Sequence, residues 1–184
     1  DAASARALVR AAADQLGQLD ILVNNAGTAA RGAPEELDES GFDRIFATNV
    51  KGVYYASCEA AAVMRPGGSI VNVASVVGTV ADVELAAYSA SKAAVLQLTR
   101  VLAAAWGERG IRVNAVSPGY TDSPLNAHRK ADPARSEAIV SRTPLARWGK
   151  PADVARAVAF LASGAAGFVT GQELVVDGGY VLAR

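Results

Sequence analysis

The sequence predicts an α/β fold, an open parallel sheet of buried strands with helices on both faces. Three observations carry that expectation. Short apolar runs, LDILV, SIVNVA, IRVNAVS and QELVV, are separated by longer alanine-rich segments of helical period. The runs are apolar along most of their length instead of alternating, as strands covered on both faces are. Strands separated by helices imply parallel pairing through right-handed crossovers.

The elements follow in chain order. A helix is expected over Ala2 to Leu16, ahead of LDILV, and a second over Glu39 to Met64, ahead of SIVNVA. Inside the second, Asn49 followed by Gly52 is poor helical sequence and predicts a local break. A third helix, Ala86 to Glu108, precedes IRVNAVS. A fourth, Pro151 to Ser163, precedes QELVV and carries proline where the first turn tolerates it. The polar, proline-containing segment from Asp122 to Arg147 is the least regular and reads as an excursion over the sheet, a candidate lid.

Composition bounds the function. At 184 residues, 51% hydrophobic and 20% charged, the chain has the make-up of one globular domain. Eighteen basic residues balance eighteen acidic ones, which argues against nucleic acid or an anionic membrane as partner and for small molecules. One cysteine, Cys58, rules out an internal disulfide and is expected to be a buried, inert thiol. The opening DAASARALVR lacks the features of a signal peptide and no run is long enough to span a bilayer, so a cytoplasmic location is expected.

Three strand ends carry polar or glycine residues: NNAG (Asn24 to Gly27) after the first, Ser75 after the second, and SPG (Ser117 to Gly119) after the third. Ligands of open parallel sheets bind beyond the carboxyl ends of the strands, so these point to one crevice, although such residues also make ordinary turns. The stretch AAYSASKAAV sets Tyr88 and Lys92 four residues apart, on one helical face and among small side chains. A cation beside a phenol stabilises the phenolate and lowers its pKa, and small neighbours let a cofactor, strand or helix come close. A bare Y-x-x-x-K nevertheless arises often by chance.

Taken together, LDILVNNAG, ATNVKGVY, GGSIVNVASVVG, AAYSASKAAV, GIRVNAVSPGY and FLASGAAGFVTGQELVVDGGY, in this order and spacing, resemble the short-chain dehydrogenase/reductase family. The likeness covers essentially the whole chain and is strongest to 3-oxoacyl carrier-protein reductases and sugar or polyol dehydrogenases. It implies the C-terminal part of a doubly wound, Rossmann-type sheet, and NAD or NADP as cofactor. It also implies a catalytic tetrad of Asn49, Ser75, Tyr88 and Lys92. In that set Tyr88 is the general acid or base at the substrate oxygen and Ser75 hydrogen-bonds that oxygen. Lys92 lowers the tyrosine pKa and holds the nicotinamide ribose, and Asn49 holds a water that links Lys92 to solvent.

The resemblance further implies that Asn25, Ala26 and Gly27 lie beside the adenosine ribose. Pro118, Gly119, Thr121 and Ser123 lie over the nicotinamide carboxamide. Many members have an aliphatic residue where Thr121 stands and threonine where Ser123 stands, so these two roles transfer least directly. The family's opening strand, glycine-rich turn and pyrophosphate-binding helix have no counterpart in the 184 residues, and the chain alone is expected to bind dinucleotide poorly. The implied partner is a small carbonyl or alcohol, with a lean toward hydroxylated molecules, and the implied assembly is a homo-oligomer, a dimer or tetramer. His128, Arg129 and Lys130 are expected to be solvated lid residues, with contact to an anionic substrate as the alternative. A serine hydrolase pairing Ser75 with His128 is disfavoured, since no G-x-S-x-G elbow surrounds Ser75. A non-catalytic binding or assembly module is the alternative function.

Overall fold

A computed structural model describes residues 1–182. Helix α1 (Ala2–Leu16) starts where the Asp1 carboxylate accepts the Ser4 N–H at 2.9 Å and stops at Gly17, whose φ of 75° few other residues adopt. Four strands follow: β1 (Ile21–Asn24), β2 (Ser69–Val73), β3 (Arg112–Pro118) and β4 (Glu173–Val176). They form one sheet in the order β1-β2-β3-β4, every neighbouring pair parallel. The helices between them are α2 (Glu39–Phe46), α3 (Val53–Val63), α4 (Ala86–Trp106), the short α5 (Ala127–Ala131), α6 (Pro133–Ser141) and α7 (Pro151–Ala162). Expected and observed bounds differ by a residue or two at the ends of the third and fourth helices.

The predicted helix from Glu39 to Met64 is almost continuous, but its centre, Ala47–Gly52, is wound as a π-turn around Asn49, so the local break is there. On one face of the sheet, α1, α3 and α4 pack Val9, Ala60, Met64, Leu102 and Ala103 on Ile70 and Val113. On the other, α7 places Leu161 against Val71 and Val116. The two central strands are thus buried on both sides. LDILV, at the edge of the sheet, is not. Ile21 and Val23 are 48% and 40% exposed, while α7 packs on β2, β3 and β4. At the other edge, Val175 in β4 is also exposed. Cys58 is half-buried in α3, with the Tyr54 hydroxyl in hydrogen-bonding reach.

The asparagine side chains within the sheet are paired. Asn24 and Asn72 stand opposite each other in register, and the Asn24 amide donates to Asn72 Oδ1 at 2.8 Å and to Ser57 Oγ at 2.9 Å. Asn72 donates in turn to Thr99 Oγ1 of α4 at 2.9 Å. A buried amide left unpaired costs about 1–3 kcal/mol, so this ladder fixes how α3 and α4 sit on the sheet.

The lid is more regular than its sequence suggested. Residues 127–131 and 133–141 are helical, and Asp132 caps the second helix by accepting the Ala134 and Arg135 N–H groups. Its ends are tied together: Gly149 N–H donates to Tyr120 O and Asp122 N–H donates to Gly149 O, both at 2.9 Å. Among the described residues no helix is long and apolar enough to cross a membrane.

Candidate active site

The three strand ends singled out in the sequence, the first turns of α4 and the lid surround one cavity of about 360 Å³. Asn25 and Gly27 line it from the end of β1, and Ser75 from the end of β2. Tyr88 and Lys92 line it from α4, while Pro118, Gly119, Thr121 and Ser123 line it from the end of β3 and the start of the lid. Ala26 is exposed and does not line it, and Asn49 lies beneath the loop, fully buried. Residue 119 has to lack a side chain, since a Cβ there would come within 2.6 Å of the Asp177 Cβ. That close approach lets the β3 end turn past β4 and over the cavity.

Small residues on α4 serve two close approaches. The turn after β2 lies directly on the helix at Gly78, where a Cβ would meet the Lys92 carbonyl carbon at 3.0 Å. Ser75 begins that turn, so its hydroxyl is held within hydrogen-bonding reach of the Tyr88 phenol. The π-turn approaches the same helix at Ser91. Asn49 Nδ2 donates to Ser91 Oγ at 3.0 Å, and Ser91 donates to the Tyr88 carbonyl at 2.7 Å.

Asn49 also holds the loop after β1. Its Oδ1 accepts the Thr28 N–H and its Nδ2 donates to Thr28 O, each at 2.9 Å. Both amide hydrogens are thereby used, on Thr28 and Ser91, and one acceptor site of Oδ1 on the Thr28 N–H. The helix–π-turn–helix break is what brings Asn49 inward to meet both partners.

Electrostatics depart from expectation. Tyr88 and Lys92 are 8% and 4% exposed. Burial brings the Lys92 ammonium down to about 8, and its Nζ donates to the Val73 carbonyl at 2.8 Å, 5.5 Å from the centre of the Tyr88 ring. The Tyr88 phenol is raised, not lowered: burial dominates, opposed by the Ser75 hydrogen bond and the Arg31 charge. Helical spacing brings Lys92 near the ring, but the ammonium is committed to a backbone carbonyl, and the cost of burying a phenolate outweighs what helps it.

Lid side chains depart too. His128 is exposed, as expected, and no hydrogen bond joins it to Ser75 among the described residues. Lys130 pairs with Asp122. Arg129 is not solvated: it is 7% exposed and pairs with Asp82 Oδ2 at 3.0 Å and Glu84 Oε2 at 2.7 Å, with the Tyr120 hydroxyl also accepting from it. These acids sit in the loop before α4, so Arg129 fastens the lid beside Tyr88.

Arg31 was missed altogether. It lines the cavity, and its Nη2 donates to the lid at Leu125 O and Asn126 Oδ1, at 3.0 and 3.3 Å. The available signal was an arginine four residues beyond NNAG at a strand's carboxyl end.

The donor set suits the ribose and carboxamide of the nicotinamide dinucleotide implied above. It comprises an ammonium, two adjoining hydroxyls, the Asn25 amide, and a side-chain-free Gly27 within 3.5 Å of both Lys92 Nζ and Asn49 Oδ1 were a Cβ present.

Comparison with known proteins agrees with this geometry. Residues 1–181 match a family model described as enoyl-(acyl carrier protein) reductase. The chain is 46% identical over 183 residues to cis-4-hydroxycyclohexanecarboxylate dehydrogenase of Sinomonas cyclohexanicum, covering 98% of this chain and 73% of that protein. It is 43% identical to an uncharacterized short-chain type dehydrogenase/reductase of Sinorhizobium fredii, of whose length the chain spans 33%, with 98% of its own covered. Among solved structures, a gluconate 5-dehydrogenase from Burkholderia cenocepacia in complex with NADP and tartrate superposes with a TM-score of 0.94 at 35% identity, covering 100% of this chain and 73% of that one.

Proposed function

The chain belongs to the short-chain dehydrogenase/reductase family, and from that premise we propose that it interconverts a secondary alcohol and a ketone on a small hydroxylated molecule, with NAD or NADP. The observation that carries this reading is the pairing of the Ser75 and Tyr88 hydroxyls in one cavity above a buried Lys92. The NADP complex of the gluconate 5-dehydrogenase supports the cofactor class. The convergence of polar groups in the cavity favours catalysis over a non-catalytic module.

A bound nicotinamide dinucleotide supplies or accepts the hydride. Asn25, Ala26 and Gly27 would lie along its adenosine ribose, Tyr88 and Lys92 at its nicotinamide ribose, and Pro118, Gly119, Thr121 and Ser123 along its carboxamide. During reduction, charge grows on the carbonyl oxygen of the substrate. Ser75 donates a hydrogen bond to that oxygen and Tyr88 gives it a proton. The upward shift of the phenol keeps it protonated, which suits the donor role. Lys92, titrating at about 8, sits where it can return a proton from solvent. Since the Asn49 amide is engaged, a water linking Lys92 to solvent would rest on backbone carbonyls that the π-turn frees. Assembly into a dimer or tetramer is consistent with Phe42, Tyr54 and Val101, exposed on α2, α3 and α4.

The test is to purify the protein expressed from its own gene, titrate NADH and NADPH by fluorescence, and assay a panel of small ketones and hydroxylated alcohols in both directions. Saturable binding and turnover with at least one pair are expected. Failure of both dinucleotides to bind would overturn the reading.

A further inference from the structure

The helix that carries Tyr88 starts without a side chain to cap it. Leu85 precedes α4 and has no hydrogen bond to offer, so the first turn, which holds Tyr88, is set by the chain leading into it. That lead is a turn built by Asp82. The Asp82 carbonyl accepts the Leu85 N–H at 3.0 Å, and its Oδ1 accepts the Glu84 N–H at 3.1 Å, as in an Asx-turn. Leu85 lines the cavity and packs with Val76, Val77 and the Tyr88 ring. The same carboxylate meets the lid with its other oxygen: Oδ2 accepts from Arg129 Nη1 at 3.0 Å and from the Tyr120 hydroxyl at 3.2 Å. Arg129 also reaches Glu84, which pairs with Arg135 as well. Burial pushes the Asp82 carboxyl up, but Arg129 and the Glu84 N–H outweigh it and hold it below its usual range, so both oxygens stay acceptors.

We propose that Asp82 is a positioning residue for the proton transfer at Tyr88: Oδ1 builds the turn that sets Leu85 and the phenol, while Oδ2 holds the lid over the substrate. Asp82 does not line the cavity, so it acts only through these neighbours. Aspartate suits the double task because its short arm reaches the N–H two residues on and leaves a charged oxygen for a guanidinium. A phenol displaced by about 1 Å from the substrate oxygen transfers its proton far less well, whereas a looser lid weakens substrate binding. The proposal rests on the dehydrogenase reading of the cavity, and its test separates the two.

Two substitutions take the tasks apart. Asp82→Asn keeps the turn acceptor and loses the charge that holds Arg129, whereas Asp82→Glu keeps the charge but carries its oxygens too far out for the turn. Each is made in the protein expressed from its own gene, and kcat and KM are measured with the ketone and dinucleotide that the wild type turns over. Asp82→Glu should lower kcat by roughly 10- to 100-fold with KM little changed, the cost of a misaligned reacting group. Asp82→Asn should leave kcat near the wild type and raise KM by roughly 10-fold, for the loss of a charged hydrogen bond. In a Tyr88→Phe background Asp82→Glu should lower kcat no further, since the group it positions is gone. A lid strut would raise KM in both variants with kcat unmoved, and a general packing role would add its loss to that of Tyr88→Phe. Either result overturns the proposal, as does a fall in kcat for Asp82→Asn. A second readout needs no turnover: the titration of Tyr88, taken as the difference between each variant and its Tyr88→Phe counterpart. The phenol, raised by burial, should move down toward its ordinary value in Asp82→Glu and remain raised in Asp82→Asn. A titration unmoved in both variants would also overturn the proposal. A wild type without turnover sinks the dehydrogenase reading, and this titration then decides the role of Asp82 by itself.

Discussion

Two walls of the cavity are built on different physics. The shelf that carries Ser75, Tyr88 and Lys92 consists of strand ends and a long helix, joined by the backbone ladder, close contact at Gly78 and hydrogen bonds among buried groups, one of them from the Lys92 ammonium to a carbonyl. The lid from Tyr120 to Gly149 is held by a backbone clamp at its ends, edge-on contacts of Tyr120 with Trp148 and Tyr180, and the ion pairs of Arg129 and Arg135. The shelf cannot shift without unpairing buried polar groups. The lid can, by exchanging charged contacts for water. The Ser75 and Tyr88 hydroxyls, proposed to act at the substrate oxygen and so to need fixed separation, are on the first wall, and the lid is the second.

The sharpest way to break the shelf without moving it is Tyr88→Phe. The phenol's proton is lost while the ring keeps its packing against Val76, Val77 and Leu85. Turnover should fall by roughly 10²- to 10⁴-fold, the usual worth of a positioned general acid, with dinucleotide affinity little changed. Steady-state rates beside fluorescence titration check it, and near-normal turnover would remove Tyr88 from the chemistry.

Arg129→Leu tests the lid by itself. It leaves Asp82 without its buried partner, and lid opening should become easier by about 3–5 kcal/mol. Limited proteolysis should then cut faster between residues 122 and 147, while amide exchange in β2 and β3 stays slow. Equal loosening of sheet and lid would mean that the two walls are one cooperative unit.

The smallest effect expected is a pH dependence at the shelf. Lys92 titrates at about 8 when folded, against an ordinary 10.5. Between these values the folded chain has released a proton that the unfolded chain still binds, so stability rises with pH. From pH 8 to about 10 the gain should be about 2 kcal/mol. The raised phenol of Tyr88 works in the opposite sense, but only above about pH 10, where unfolded tyrosine ionises. Urea unfolding of the wild type across that window should show the rise, and Lys92→Met should flatten it. Parallel profiles would place the Lys92 ammonium in water.

Much of the scaffold was legible in the sequence because its signals are local. Apolar runs separated by helical segments give a parallel sheet, and Asn49 with Gly52 marks the π-turn. The strand-end residues and the Tyr88–Lys92 spacing nominated seven residues that line the cavity, and the family resemblance added Thr121 and Ser123. What only the tertiary structure decided depends on groups far apart in the chain. Helix α7, more than a hundred residues on from β1, packs on β2, β3 and β4, a choice of partners made by the fold. Arg129 reads as a solvated lid residue until Asp82 and Glu84 are folded against it. Arg31 reads as one more loop arginine until the lid at Leu125 and Asn126 is folded against it. The direction of the Tyr88 shift likewise balances burial against Ser75 and Arg31, and desolvation has no signature in the order of residues. Spacing along a helix can bring two groups together, but how much water is left around them is a property of the whole fold.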